Sequence, residues 1–330
     1  MLRSSLARRA LGAAAGAALL QLLMITAFCW PAARTAPRDV PIVVAGPGSA
    51  AVAQRLERER PGAFDVAAVR DEAAARAALT GRDAYGAIVT TPSGPKVLTA
   101  SAASPVVAQQ LDVLAERLGG GAAADAAAPA VQDVVAADPD DPRGAGLGAL
   151  ALPLIMSGLA AAVLLTFAVP AVPWRAAGAV LFAVLGGFGA AGVARGWLSL
   201  LPGPYAGLAG TMALAILAVT GAVAGLAAVL GRAGIGLGGL LFLLLGNPLS
   251  GATSAPELLP RPWGEIGQFL PPGAAVTLLR SVAFFDGAGA ARPLAVLAAW
   301  AVGGLVLLAV GGLRGRVRDE TGRDREPALV

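Results

Sequence analysis

Histidine is absent from the 330 residues, and cysteine and lysine occur once each, against twenty-four arginines. The first absence removes the Ser-His-Asp triad, together with the commonest general base and metal ligand. With Cys29 as the only thiol, no intrachain disulfide can form. A lipid-anchored cysteine would follow a small residue, whereas Phe28 precedes Cys29, which therefore reads as a membrane-embedded thiol. The one lysine, Lys96, lies between Pro95 and Val97, so the chain has no G-x-x-x-x-G-K-[ST] phosphate loop and no ATPase domain of its own. Gly46-Pro47-Gly48 follows a strand-like run but lacks the third glycine of a dinucleotide fingerprint. Asp138, Asp140 and Asp141 alternate with Pro139 and Pro142, which reads as a solvated linker rather than a calcium loop. No catalytic residue, cofactor or metal is expected.

Charge is scarce as well. Only 14% of residues are charged and 56% are hydrophobic, where soluble domains carry about a quarter charged. The mean hydropathy of +0.71 and long uncharged runs place the chain in a lipid bilayer. The pI of about 10.1 does not signal nucleic acid. Residues 31–146 hold eleven basic and fourteen acidic side chains, and the basic surplus flanks apolar runs at Arg3, Arg8 and Arg9 and at Arg314, Arg316 and Arg318.

Six apolar runs predict a polytopic α-helical membrane protein. The first, within 1–30, is longer than a signal-peptide core and reads as an uncleaved anchor; cleavage near Ala36 would leave the downstream topology unchanged. The others are 147–169, 176–198, 207–230, 234–250 and 292–313, in a bundle over 147–330 with a short tail at 314–330. Placing the N-terminus inside puts Arg175 and Arg232 in cytoplasmic links and leaves the outer loop 199–206 without Lys or Arg. Both termini are then cytoplasmic, in a bacterial plasma membrane. Arg195 is discordant, near the outer end of its span, where it can snorkel to the interface. Gly12/Gly16, Gly192/Gly196, Gly221/Gly225 and Gly234/Gly238 are spaced for close helix packing.

Residues 31–146 read as an inserted extracytoplasmic α/β domain. Strands are predicted at 40–45, 64–69, 85–90, 96–100 and, more weakly, 131–136, and helices at 49–60, 71–80 and 104–118. Ser104 and Pro105 suit the start of the last helix, Val107, Leu111, Leu114 and Leu118 share one face, and Gly119 to Gly121 end it. The alternation of strands and helices implies a mostly parallel sheet.

Residues 246–291 break the pattern. Prolines at 256, 260 and 262 precede Trp263 to Leu270, and Pro271-Pro272-Gly273 separates that stretch from Ala274 to Phe285. Each half is too short to cross a bilayer yet apolar enough to enter one, which predicts an outer re-entrant hairpin over 251–291. Its gate residues would be Asn247, Pro248, Trp263, Glu265, Pro271, Pro272, Gly273 and Arg280. Glu265 and Arg280 lie on opposite arms, and either pair across the hairpin or both face outer water.

One span, a large outer insertion, five spans and a hairpin before the last resembles the ABC-2 type transporter permeases, specifically the bacterial YhgE/Pip (phage-infection-protein-like) subgroup. The strings that carry the resemblance are Gly246-Asn-Pro-Leu-Ser-Gly251, Leu259-Pro-Arg-Pro-Trp263, Phe269-Leu-Pro-Pro-Gly273, Leu279-Arg-Ser-Val282 and Phe285-Asp-Gly287. Tyr85-Gly-Ala-Ile88 and Ala100-Ser-Ala-Ala-Ser104 fit it too. The resemblance implies a homodimeric export permease driven by a separate cytoplasmic ATPase subunit. Contact with that subunit would fall at Trp174 and Arg175, although the link there, Pro170 to Arg175, is shorter than the family's amphipathic coupling helix. The alternative class is a membrane-anchored surface protein whose outer domain binds a ligand or partner.

Overall fold

The computed structural model describes residues 2–92, 94–119 and 130–323. A long helix α1 (Leu2–Ala33) leads into an α/β unit: β1 (Val40–Ala45), α2 (Ser49–Glu59), β2 (Phe64–Val69), α3 (Glu72–Thr80), β3 (Gly86–Thr91), β4 (Gly94–Thr99), α4 (Pro105–Gly119) and β5 (Ala130–Asp133). Sheet order is β2-β1-β3-β4-β5. Every neighbouring pair is parallel except β3 with β4, where no helix intervenes to carry the chain back across the sheet. The pleat sorts β1 onto two cores. Val40, Ile42 and Val44 pack with Leu56, Leu111 and Leu114, while Val43 and Ala45 face Ala75 and Leu79.

The expected starts of α3 and α4 are explained by their caps. Asp71 Oδ1 accepts from the Ala74 N–H at 2.8 Å, and Ser104 Oγ accepts from the Val107 N–H at 3.3 Å. The last strand ends at Asp133, short of the expected 136. The expected glycine stop at 120 and 121 and the tail beyond 323 lie outside the described residues.

The second half comprises α5 (Ala145–Ala168), α6 (Val172–Ala191, continued by a π turn to Trp197), α7 (Tyr205–Leu230), α8 (Arg232–Gly239, continued by a π turn to Gly246), α9 (Trp263–Gln268), α10 (Pro271–Phe284) and α11 (Ala291–Arg323). Five helices are long and apolar enough to cross a membrane: Leu6–Ala33, Ala145–Ala168, Val172–Trp197, Tyr205–Leu230 and Ala291–Arg314. The expectation of six full spans is corrected at 234–250. The helix there runs only from Arg232 to Gly246, about 23 Å against a bilayer core of about 30 Å. Asn247-Pro248 stops it, because proline lacks the N–H and disfavours helical geometry in the residue before it. The chain still returns to the end of the bundle where α7 begins, since Leu258 joins Val40 and Leu56 in the sheet's core. That return is half helix and half irregular backbone.

Helix α7 is the centre of the bundle, and glycines set its contacts. A Cβ on Gly225 would lie 2.4 Å from the Gly304 carbonyl oxygen, and one on Gly304 would lie 2.3 Å from the Ala222 nitrogen. Helices α7 and α11 therefore touch backbone to backbone. A Cβ on Gly187 would come within 2.5 Å of the Ala213 nitrogen, which brings α6 equally close. Gly234 and Gly238 pack on Leu226 and Val223 of α7. The other two glycine pairs have no such role: a Cβ at Gly12, Gly16 or Gly196 would meet nothing within 4 Å, and one at Gly192 only the Tyr205 hydroxyl at 3.9 Å. The apolar stretch of α1 has none of its residues buried; its end touches the bundle through Trp30, whose ring stands edge-on to Trp263 at 6.3 Å.

Candidate functional site

The two halves of the chain meet through bonds as well as packing. Ala255 and Leu258 enter one core of the α/β unit, and Phe285 enters the other. The stretch after α1 bonds to the loop after α8, with the Ala36 N–H donating to the Leu258 carbonyl (3.0 Å) and the Arg38 N–H to that of Glu257 (3.1 Å). Between the halves lies a cleft of about 410 Å³. Arg82 and Tyr85 reach it from the loop between α3 and β3, Glu257 from the loop after α8, and Arg280 from α10; Arg292 at the start of α11 lines it too.

The chemistry of the cleft is cationic and tightly bonded. Arg82 Nη1 donates to the Thr277 carbonyl at 2.9 Å and to Ser281 Oγ, and its guanidinium lies 5.2 Å from the Phe285 ring centroid. The Tyr85 hydroxyl donates to Glu257 Oε2 at 2.8 Å. Arg280, 4% exposed, donates from Nη2 to the Ala252 carbonyl at 2.8 Å and from Nη1 to that of Gly251 at 3.4 Å. Burial pushes the Arg280 guanidinium down to about 10 and lowers Arg82 as well. Arginine keeps its proton at ordinary pH, so these shifts measure the cost of stripping water from two neighbouring cations. Burial, with the Glu257 carboxylate beside it, pushes the Tyr85 hydroxyl well above the tyrosine range, so it remains a donor.

The hairpin residues singled out in the sequence serve distinct purposes. Pro271 and Pro272 do not interrupt a helix; they form the first turn of α10, where a missing N–H costs nothing. Pro272 packs on Gly246, whose Cβ, if present, would sit 2.8 Å from the proline ring. A Cβ on Gly273 would strike the Gly267 carbonyl oxygen at 2.2 Å, so only glycine lets α9 and α10 close on each other. Thr277 Oγ1 donates to Gln268 Oε1 (2.6 Å), Gln268 Nε2 to the Ser250 carbonyl (3.1 Å), and Trp300 Nε1 to the Phe269 carbonyl (2.8 Å), tying the hairpin to α11. Asn247 ends the π turn, its N–H bonded to Phe242 O at 3.0 Å, and its own carbonyl accepts from Ser250 Oγ; Pro248 beside it is half-buried. Trp263 and Glu265 are exposed at the mouth of the cleft.

Glu265 is not the partner of Arg280: among the described residues the guanidinium bonds only to the Gly251 and Ala252 carbonyls, and the nearest opposing carboxylate is Glu257. At the far end of the bundle Trp174 is 73% exposed, whereas Arg175 is buried. Its Nε and Nη2 both bond to the Val169 carbonyl, at 3.1 and 2.9 Å, closing the end of α5. Arg82, Tyr85 and Glu257 escaped the sequence reading as a site. Their only signals were that Tyr85 is one of two tyrosines and Glu257 one of three acids between 147 and 313. No family model, curated protein sequence or solved structure matches this chain.

Proposed function

We propose that the protein is the membrane subunit of an ABC-2 type exporter of the YhgE/Pip-like kind, working as a homodimer with a separate cytoplasmic ATPase subunit. The observation that carries this reading is the placement of α10. It is buried nearly throughout its length, packs against α5, α7 and α11, and is bonded through Arg82 to the α/β unit. Such a hairpin can transmit movement between an outer domain and the bundle, as an export gate requires. The small and apolar side chains of the bundle interior favour a hydrophobic or lipid-like cargo.

The basic residues support an orientation. Arg175 and Arg232 lie at the end of the bundle away from the α/β unit, as do the start of α1 and the end of α11, and the loop 198–204 at the opposite end is uncharged. By the positive-inside rule both termini face the cytoplasm and residues 31–146 lie outside a bacterial plasma membrane. Cysteines introduced at Ser49 or Ser101 of a Cys29→Ser chain are expected to react with an impermeant maleimide in intact cells, and one at Thr321 is not. Labelling at Thr321 alone would reverse the orientation.

A second reading, a surface protein that binds a ligand and has no ATPase, is favoured by the link between α5 and α6. It is only residues 169–171, and Arg175 is spent on the Val169 carbonyl, which leaves no coupling helix for an ATPase to hold. Co-purification separates the two. A tagged chain solubilised in mild detergent should bring down an ATPase subunit in stoichiometric amount; its repeated absence, with the chain monodisperse, removes the exporter reading.

A further inference from the structure

Arg280 is 4% exposed and lines the cleft, yet its Nε–H has no acceptor among the described residues. The charges around it do not balance. Arg82 and Arg280 face each other across a single carboxylate, Glu257, which already accepts the Tyr85 hydroxyl. Arg261 on the rim is paired with Asp39, and Arg38 is occupied by the Ala36 and Leu258 carbonyls. Two guanidinium groups against one carboxylate leave one positive charge over, away from bulk water, where an unpaired ion is costly.

The level of the cleft narrows the counter-ion. It lies where α1 has ended, at Arg38, and where α11 begins, at Arg292 and Pro293. Trp263 and Glu265 stand at its mouth, with Trp30 against Trp263, and Ile266 and Phe269 are exposed beside them. Tryptophan at the ends of apolar helices marks the depth of the lipid headgroups. The guanidinium fork matches phosphate oxygens, and a phosphodiester carries the one negative charge that the cluster lacks.

We propose that this cleft binds a single phosphate group, that of a lipid headgroup, with Arg280 and Arg82 as its ligands and Arg292 at the mouth. The volume of about 410 Å³ accepts a headgroup. The acyl chains stay outside, against Trp263, Ile266 and Phe269. The site stands on its own geometry and holds whether or not the chain exports anything.

The test uses the full chain in an uncharged detergent, with thermal unfolding followed against added ligand. Three probes separate the sources: dihexanoyl phosphatidylglycerol, dihexanoylglycerol with the same tails and no phosphate, and glycerol 3-phosphate with no tails. The phosphatidylglycerol should stabilise saturably, with neither of the others matching it at equal concentration. Arg280→Gln should weaken that binding about tenfold or more, the size of a lost hydrogen bond to a charged group. Arg292→Glu, a change at an exposed position, should weaken it as well and serves where Arg280→Gln fails to fold. Equal stabilisation by dihexanoylglycerol, or binding unchanged in Arg292→Glu, overturns the site. Equal stabilisation by glycerol 3-phosphate overturns the lipid source, and no shift with any probe overturns the proposal entirely.

Discussion

Arg280→Ala is expected to destabilise the protein by about 3–5 kcal/mol, the cost typical of breaking a buried charged network. That is a large share of the total of about 5–15 kcal/mol that holds most folds together. The reason is local. The guanidinium is the donor to the Ala252 and Gly251 carbonyls, and without it the irregular return between α8 and α9 loses the bonds that satisfy its backbone. Water cannot take their place, because Ser250, Gly251 and Arg280 are all buried. Glu265→Ala, at an exposed position, should stay within about 0.5 kcal/mol of wild type. Exchanging the two charges, Glu265→Arg with Arg280→Glu, should recover nothing. The check is the melting temperature of the detergent-solubilised chain by fluorescence-detected gel filtration. Recovery in the exchanged pair would restore the ion pair across the hairpin and reject the backbone role.

Gly304→Leu is expected to cost at least about 3 kcal/mol, the upper part of the range for overpacked cores. A Cβ there would lie 2.3 Å from both the Ala222 nitrogen and the Gly221 carbonyl carbon. Those are backbone atoms of α7, so no side-chain rotation relieves the contact and the two helices must separate. The neighbouring glycine is the control. Gly303 has nothing within 4 Å of its missing Cβ, and Gly303→Leu should accumulate and melt as wild type does. Gly12→Leu should behave like the control, because α1 makes no such contact. Equal loss in Gly303→Leu and Gly304→Leu would mean that the helix surface, rather than its packing on α7, is what leucine disturbs.

These contrasts show what could be read from the residues alone. The period of the α/β segment was legible because each element obeys local rules. VPIVVA fits a strand buried on both faces, and Asp71 and Ser104 mark helix starts within a residue. The four glycine pairs were legible as spacing but not as contacts, since what faces a glycine is decided by another helix. The run 234–250 was counted as a span on hydropathy, which does not register that Asn247-Pro248 stops the helix. Glu265 and Arg280 invited pairing because they are the charges on the two hairpin arms, while Arg280's actual neighbours come from elsewhere. Ala252 is 28 residues away, and Tyr85, which holds Glu257, is 172 residues from it. Nothing in local spacing links such positions.

The central claim is that the α/β unit and the buried hairpin form one cooperative body across the charged cleft. Hydrogen–deuterium exchange on the full-length chain and on Arg82→Ala tests it most directly. In the wild type, amides of α10 should exchange as slowly as those of α7. In the variant, which loses the bonds to the Thr277 carbonyl and Ser281, protection should fall together in residues 271–285, in 252–258 and in β1 and β3. Faster exchange confined to the α/β unit, with α10 as protected as before, would contradict the account.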